Sequence, residues 1–240
     1  TNVIKHSNVL RTLQQNNLTD RYFSVSTDKA ANPVSLMGAS KKIMELVLQC
    51  KHYEFDINIK TSTTRFANVA FSNGSLLQSF STRFEKREPL PAPFEIKRFF
   101  VSHKEAAQIC ILSSSALEGG DILVPKINQE FSLYPIINVA KNFIESKDMT
   151  PVVVESKEEA YEIIKKNKKE YPIVGTKADT SGEKEFEEFV GLEEKIVKSE
   201  FIKFDIVEHS DFDSEELIMF VNNFNLLLQG DVSISKTDLI

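Results

Sequence analysis

The sequence predicts an α/β fold in which at least some strands pair in parallel. Segments with apolar residues at helical spacing alternate with short runs of β-branched and apolar residues, the pattern of strands connected by helices. The 240 residues, 41% hydrophobic and 27% charged, have the composition of an ordinary globular protein. The eight glycines form no Gly-x-Gly, so the chain contains no standard glycine-rich phosphate loop of the dinucleotide-binding or P-loop type.

Each predicted helix carries an apolar stripe, and each predicted strand is bounded by turn residues. The helices are predicted over 2–15, 37–49, 75–87, 104–117, 134–146, 157–169 and 214–229. The extended segments and strands are predicted over 22–26, 56–71, 96–101, 121–125, 151–155, 171–175 and 201–207. Ser156 and Glu159 have the spacing of a capping box for the helix from 157. A break near Asp148 indicates two domains, 1–148 and 149–240.

The overall charge and the cysteines exclude several classes of function. The net charge of −6, without a basic tract, argues against non-specific nucleic-acid binding, so no nucleic-acid partner is predicted. No apolar run reaches the roughly 20 residues that cross a bilayer, so no membrane segment is predicted. Cys50 and Cys110 lie in apolar helical patterns and are predicted to be buried, reduced thiols, which is typical of a cytoplasmic protein. The histidines lack metal-ligand spacing, and no metal site is predicted.

The densest set of chemically useful residues lies in the segment 26–41. Asp28 and Lys29 follow a predicted strand, at the end where open α/β sheets place their ligand crevice. They provide an acid and a base in adjacent positions, as general acid–base chemistry requires. Lys41 lies one helical turn after Met37 and therefore on the same helix face. Spacing alone favours a different interpretation of this segment, namely an ordinary surface turn with a capping aspartate.

Four segments, in order along the chain, carry a family resemblance. They are Ser26–Pro33 with Met37–Lys41, Arg65–Ser75, Lys97–Val101 and Gly182–Phe189. Together they resemble the nucleotide-sugar 4,6-dehydratases of the polysaccharide-biosynthesis type, which are extended short-chain dehydrogenase/reductases. The resemblance implies that the chain is the C-terminal portion of a Rossmann-type enzyme with a smaller α/β substrate-binding lobe. It also implies that the glycine-rich segment found in members of this family precedes residue 1. Domain 1–148 would be the remainder of the NAD-binding domain, with the catalytic segment and interleaved substrate-binding elements, and 149–240 would be the C-terminal α/β lobe.

The resemblance also implies roles for the first segment. Enzymes of this family pass a hydride from sugar C4 to bound NAD, eliminate water across C5 and C6, and return the hydride to C6. Asp28 would protonate the departing C6 hydroxyl, and Lys29, as a neutral amine, would take the C5 proton. Lys41 would contact the nicotinamide ribose, and Ser26 would also belong to the cofactor site. The cofactor is expected to be NAD(P), with NAD preferred.

Met37 stands where the usual catalytic tyrosine of the family is found, and a thioether cannot act as a general base. The methionine form is similar to one branch of these dehydratases, in which the threonine before Asp-Lys relays the C4 proton. That residue is Thr27 here, and a hydroxyl can both donate and accept a proton. The alternative for Met37 is packing, because methionine fills irregular space well.

Three residues are implied as contacts of the substrate diphosphate: Asn68, Ser75 and Arg98. Arginine at position 98 could make a bidentate contact, whereas Arg65 is interpreted as structural. Thr180-Ser181 replaces the Arg-Pro that precedes Gly-Glu-Lys in the family, so one arginine that contacts uridine or phosphate is expected to be absent. The acidic run at 187–188, between two phenylalanines, indicates packing and solvated charge rather than chemistry.

The expected function is NAD-dependent dehydration of a UDP-N-acetylhexosamine, UDP-N-acetylglucosamine, to a 4-keto-6-deoxy sugar for surface polysaccharide or glycan biosynthesis. Two alternatives stay open: a UDP-sugar epimerase of the same superfamily, and a catalytically silent fragment that binds UDP-sugar or serves assembly. Asp28, Lys29 and Met37 argue against the epimerase, while the missing glycine loop supports the silent fragment. Helices such as 2–15 and 37–50 are expected, by resemblance, to form a homo-oligomer.

Overall fold

The structure, a computed structural model, describes residues 1–50, 59–126, 133–166, 169–177, 187–197, 199–209 and 212–229. The helices in these ranges are α1 (Ile4–Gln15), α2 (Leu36–Gln49), α3 (Leu76–Glu85), α4 (His103–Ala116), α5 (Ile136–Glu145), α6 (Lys157–Lys166) and α7 (Ser214–Gln229). The strands in them are β1 (Arg21–Thr27), β2 (Lys60–Phe66), β3 (Asn68–Val69), β4 (Leu90–Pro93), β5 (Lys97–Arg98), β6 (Phe100–Val101), β7 (Asp121–Pro125), β8 (Tyr134–Pro135), β9 (Thr150–Val154), β10 (Glu170–Thr176), β11 (Ile196–Val197) and β12 (Phe204–Val207). The helices fall on the seven segments predicted to be helical, whereas β4, β8 and β11 lie outside the segments predicted to be extended.

The chain divides into two compact units made of separate stretches of sequence. Unit 1 contains Thr1–Phe66, Lys104–Ile127 and Glu188–Ile240. Unit 2 contains Ala67–His103 and Asn128–Glu187. The chain crosses between the two units at four positions, and the domain boundary near residue 148 stays a prediction. Local composition gives no signal of interleaving, because each crossing between the units occurs inside an ordinary run of residues.

Unit 1 is built on a five-stranded sheet in the order β1-β2-β7-β12-β11. β1 pairs with β2 and β2 with β7 in parallel, whereas β12 joins β7 antiparallel. The parallel pairs confirm the predicted α/β class. One apolar cluster of this unit combines residues of α1, α2 and α7, including Val3, Leu10, Val47, Leu48, Leu217 and Val221. Part of the apolar surface of the two helices predicted to form a homo-oligomer therefore packs with α7.

Strand β2 is polar in sequence but buried in the interior of this sheet. Its hydroxyls donate to backbone carbonyls at 2.6–3.0 Å: Thr61 to Leu48, Ser62 to Ser113, Thr63 to Ser24, and Thr64 to Leu123. A buried hydroxyl without a partner would destabilise the fold, and these bonds remove that penalty. β2 can therefore occupy a core position without an apolar stripe.

Unit 2 is built on a three-stranded parallel sheet in the order β4-β10-β9. α5 packs on all three strands, α3 packs on β4, and α6 packs on β9 and β10. The core is apolar and includes Phe80, Leu90, Ile96, Phe143, Ile144 and Ile173. Two short pairs complete the unit, a parallel pair of β3 with β6 and an antiparallel pair of β5 with β8.

Several predicted elements differ from the structure in their bounds. β4 was not predicted, because Pro91 and Pro93 argue against a strand; the strand lies at a sheet edge, where proline is tolerated. The described part of α6 runs over Lys157–Lys166, and residues 167–168 of the predicted helix lie outside the described residues. Its predicted cap is confirmed by the Glu159 N–H, which donates to Ser156 Oγ at 3.2 Å. The strand expected over 201–207 is confined to β12. Of the two thiols, Cys50 is buried as predicted, but Cys110 is partly exposed.

Two further properties concern only the ranges that the structure describes. None of the helices there is long and apolar enough to cross a membrane. The His, Cys, Asp and Glu side chains in the same ranges form no group of three or more that could hold a metal ion.

Candidate active site

The carboxyl end of β1 carries three of the predicted catalytic residues. Thr27 caps a 3-10 turn over Asp28–Ala30, and its Oγ1 accepts the Lys29 N–H at 3.5 Å. The same hydroxyl donates to Asp28 Oδ1 at 2.7 Å, and Lys29 Nζ lies 3.5 Å from that oxygen. The Asp28 side chain is 11% exposed, whereas that of Lys29 is 52% exposed. The turn therefore gathers a hydroxyl and an amine around one nearly buried carboxylate oxygen.

Helix α2 packs directly on this turn. Ser35 caps the helix, with its Oγ accepting the Gly38 N–H at 3.2 Å. A Cβ atom at position 38 would lie 2.4 Å from the Lys29 carbonyl oxygen, so only glycine allows this approach. Met37 is 44% exposed, which argues against the packing alternative for its side chain. The glycine of the Met-Gly-Ala-Ser-Lys pattern is therefore explained by the close packing of α2 on the turn.

Lys41 is held at β1 by a hydrogen bond from its Nζ to the Val25 carbonyl oxygen at 2.8 Å. Burial lowers the pKa of Lys41, and the nearby carboxylate of Glu45 acts in the opposite direction. Asn2, which the sequence reasoning did not single out, donates from Nδ2 to Ser40 Oγ at 3.0 Å, beside Lys41. Unit 1 therefore places Lys41 at the strand whose end carries Thr27, Asp28 and Lys29.

A buried ion network adjoins Lys41. The side chains of Arg65 and Glu45 have no exposed surface; Nε and Nη2 of Arg65 donate to the two Glu45 oxygens at 2.9 and 2.7 Å. Nη1 and Nη2 also donate to Glu194 at 2.5 and 2.7 Å. Burial acts to raise the pKa of Glu194, but the hydrogen bonds and charge of Arg65 outweigh it and lower the pKa to about 2. Burial by itself would lower the pKa of Arg65, yet its bonds to Glu194 and Glu45 raise it overall.

Ser26 belongs to this network. The parallel register of β1 and β2 places Ser26 opposite Arg65, and Ser26 Oγ donates to Glu45 Oε1 at 2.5 Å. The residue is buried, so its hydroxyl is engaged inside unit 1. The role of Ser26 in cofactor binding stays a prediction.

The segment 188–194 connects the loop after the catalytic turn with α2. Asn32 donates from Nδ2 to Glu188 at 2.9 Å, and its Oδ1 accepts the Leu192 N–H at 3.0 Å. Lys42 donates to Glu194 at 2.5 Å. A cavity of about 730 Å³ is lined in part by Asn32, Lys42 and Glu194. Each of these three side chains already has a hydrogen-bond partner within unit 1.

His6 of α1 is a buried residue whose position the sequence does not reveal. Its ring packs against that of Tyr22, with centroids 5.4 Å apart. Neither ring nitrogen has a hydrogen-bond partner in the part of the chain that the structure describes. Burial and then the charge of Lys41 lower the pKa of His6 to about 4, so the imidazole is neutral at pH 7. A lone histidine on a helix gives no pattern from which this position could be predicted.

Two of the predicted substrate contacts lie close together in unit 2. The pairing of β3 with β6 brings Asn68 beside Phe99, the residue after Arg98. Asn68 Nδ2 donates to the Phe99 carbonyl oxygen at 3.1 Å, and it also donates to Glu187. Ser75 lies at the N-terminus of α3, where its Oγ accepts the Gln78 N–H at 3.3 Å. The substrate roles of Asn68, Ser75 and Arg98 stay predictions.

The acidic run at 187–188 differs from its prediction. Glu187 is buried rather than solvated, and it accepts the Phe99 N–H at 2.6 Å in addition to the Asn68 amide. Glu188 bonds to Asn32. The predicted packing role is confirmed for Phe189, which is 1% exposed. The preceding residues of this motif, 182–186, lie outside the described residues.

A family model for the polysaccharide biosynthesis proteins matches residues 1–209. The chain belongs to the polysaccharide biosynthesis protein family. The capsular polysaccharide biosynthesis protein CapD of Staphylococcus aureus is 31% identical over 146 residues, which are 60% of this chain and 23% of that protein.

Two further members of this wider group have enzyme names. The UDP-N-acetylglucosamine 4,6-dehydratase (inverting) of Campylobacter jejuni is 29% identical over 131 residues, covering 53% of this chain and 39% of the enzyme. A UDP-glucose 4-epimerase of Rickettsia bellii is 30% identical over 131 residues, covering 52% of this chain and 37% of the enzyme. The chain thus spans less than half the length of these curated relatives.

Solved structures support the same fold. The X-ray structure of Pen from Bacillus thuringiensis superposes with a TM-score of 0.66 at 18% identity, covering 97% of this chain and 69% of that one. The crystal structure of a UDP-galactose 4-epimerase superposes with a TM-score of 0.51 at 12% identity, covering 80% and 60%. The chain therefore shares its α/β fold with these two structures, which agrees with the fold class predicted from the sequence.

Proposed function

We propose that the protein is a nucleotide-sugar 4,6-dehydratase that uses NAD to convert UDP-N-acetylglucosamine to a 4-keto-6-deoxy sugar for surface polysaccharide or glycan biosynthesis. The observation that carries the proposal is the end of β1, where Thr27 Oγ1 and Lys29 Nζ both lie within 3.5 Å of Asp28 Oδ1. Dehydration requires an acid for the leaving hydroxyl and a base for the C5 proton, and this turn holds both. Family membership supports the substrate class.

Thr27, Asp28 and Lys29 could carry all proton transfers of the elimination. Thr27 takes the proton of the C4 hydroxyl and passes its own proton to Asp28, whose Oδ1 lies 2.7 Å away. Asp28 then gives this proton to the C6 hydroxyl, which leaves as water. Lys29, as the neutral amine, takes the C5 proton when the C4 ketone has made it acidic. The proton removed at C4 thus departs with the C6 oxygen, so the step needs no external acid.

The residues at β1 fit one end of NAD. Bound NAD would supply the acceptor for the C4 hydride and the donor that returns it to C6. Lys41 Nζ donates to the Val25 carbonyl oxygen and to Met44 Sδ, and the third N–H of an ammonium group suits a hydroxyl of a ribose. The chain has no Gly-x-Gly, so its residues fit the nicotinamide-ribose end and not the diphosphate end of the cofactor.

Residues of unit 2 are proposed to hold the UDP part of the substrate. Ser75 caps α3, and the N–H groups at a helix N-terminus favour an anionic phosphate. Asn68 lies in β3 and Arg98 in β5, two residues before the Phe100 that pairs with Asn68, and arginine adds a bidentate donor for a phosphate. This binding role would leave the proton chemistry entirely to unit 1.

Epimerisation of a UDP-sugar is the second candidate, because of the similarity to the Rickettsia epimerase. The test incubates the full-length protein with UDP-N-acetylglucosamine and NAD and follows the products by mass spectrometry and NMR. We expect a product lighter by one water that carries a ketone at C4. A product of unchanged mass with inverted C4 would support the epimerase. Binding of UDP without any turnover would contradict both enzymes and support a silent binding protein.

A further inference from the structure

Glu45 lies where α2, the end of β1 and the buried ion network meet. It follows Lys41 by one helical turn and lies on the same helix face. Ser26 Oγ donates to Glu45 at 2.5 Å, and Lys41 Nζ donates to the carbonyl oxygen of Val25, the preceding strand residue, at 2.8 Å. Two adjacent residues of β1 are therefore joined to α2, one through Lys41 and the other through Glu45.

Arg65 holds the Glu45 carboxylate in a defined position. The guanidinium donates to both carboxylate oxygens, at 2.9 and 2.7 Å, in the bidentate geometry that fixes direction as well as distance. Both side chains are fully buried, so solvent screens the Glu45 charge little. Glu194 shares the same guanidinium and also bonds to Lys42. The network thus contains two carboxylates on one arginine, of which only Glu45 is one helical turn from Lys41.

The charged and titratable groups around Lys41 come from several elements. They are Glu45 on α2, His6 on α1, Tyr22 on β1, which packs against His6, and Arg65 on β2 behind Glu45. His6 is neutral at pH 7, so it adds no charge beside the Lys41 ammonium group. Burial favours the neutral amine of Lys41, and Glu45 is the group that opposes this effect.

We propose that Glu45 is a positioning residue for Lys41: it fixes α2 against the end of β1 and supplies a buried negative charge one helical turn from the Lys41 ammonium group. The inference rests on the proposed function only for the use of that ammonium, which would favour removal of the C4 hydroxyl proton electrostatically. Met37 cannot take over this role, because its thioether carries no charge. Glu45 itself touches neither substrate nor cofactor in this proposal.

The test measures the proton affinity of Lys41 without any turnover. The full-length protein is acetylated briefly with acetic anhydride at a series of pH values, and mass spectrometry quantifies acetyl-Lys41, since only the neutral amine reacts. In Glu45→Gln, the midpoint of the labelling curve is expected at lower pH, so that Lys41 labels several-fold faster at a fixed pH below the midpoint. In the matched control Glu194→Gln, which removes the other carboxylate from Arg65, the curve is expected to stay at its wild-type position.

Two results would overturn the proposal: an unshifted curve in Glu45→Gln, or an equal shift in both variants. Should Glu45→Gln not fold, Glu45→Asp serves instead, because the shorter side chain withdraws the carboxylate while keeping its charge. A smaller shift in the same direction is then expected, and an unchanged curve contradicts the proposal. A shifted curve in a protein that forms no 4-keto product would reject the proposed function and retain the role of Glu45.

Discussion

The two units both contain parallel strands packed by helices, but their interiors differ. In unit 1 the interior strand β2 buries hydroxyls and the Arg65 guanidinium, each with partners at defined positions. In unit 2 the middle strand β10 buries Ile173 within a cluster of apolar side chains that includes Phe80. Apolar burial has no preferred direction, whereas buried polar groups require partners at fixed angles and distances. We infer that unit 1 maintains exact positions at the end of β1, while unit 2 obtains its stability from packing.

The largest effect is expected for Lys29→Ala in unit 1. Loss of the base should lower kcat by about 10²–10⁴-fold, while UDP binding, assigned to unit 2, should remain. Steady-state kinetics and calorimetry with UDP on the full-length protein measure the two quantities. Lys86→Ala, at an exposed lysine of unit 2, is the control and should change neither. Unchanged turnover in Lys29→Ala would remove this residue from the mechanism.

The next largest effect tests the buried charges. Arg65→Met leaves Glu45 buried without its cation and should lower the free energy of unfolding by about 3–5 kcal/mol. Phe80→Leu, in the apolar core of unit 2, should cost only about 1 kcal/mol because neighbouring side chains can adjust. Urea unfolding of both variants makes the comparison. If Arg65→Met were the milder of the two, the contrast between the units would be wrong.

A third effect depends on pH and on His6. The pKa of His6, about 4, lies below the usual value of 6.5. Between these two pH values the unfolded chain binds more protons than the folded protein, so the free energy of unfolding falls as the pH drops through this range. The difference between these two pKa values corresponds to a loss of about 3 kcal/mol in the free energy of unfolding between pH 7 and pH 4. When unfolding is measured across this pH range, the free energy of unfolding should fall less in His6→Leu than in the wild-type protein. Identical slopes in the two proteins would contradict the buried, neutral imidazole.

The smallest effect compares two conservative substitutions. Thr63→Val removes the hydroxyl that donates to Ser24 at 2.6 Å and should destabilise unit 1 by about 1 kcal/mol, even though valine is more apolar. Ile173→Val removes one methylene from unit 2 and should cost about as much. Thermal or urea unfolding measures both. A stabilised Thr63→Val variant would show that β2 tolerates its hydroxyls rather than depending on them.

Regular apolar spacing made most of the helices and strands predictable. The elements that were missed depend on tertiary contacts, which local sequence patterns do not encode. The helices α1, α2 and α7 follow from apolar residues at helical spacing, and β1 from a short run between turns. β4 was missed because its two prolines are acceptable only at a sheet edge, and edge position is a tertiary property. The partners of Glu187 were missed for a similar reason, since Asn68 and Phe99 lie far away in the sequence.

The sequence by itself determined the α/β class, the family resemblance and the residues at the end of β1, because these depend on neighbours within a few positions. Only the tertiary structure decided where the chain passes between the units, that His6 is buried and neutral, and that Glu45 bonds to Arg65. A contact between residues 45 and 65 arises from packing a helix on a sheet, and no local pattern encodes it. The residues proposed to carry the chemistry were therefore readable from the chain, whereas the buried charges beside them were decided by the fold.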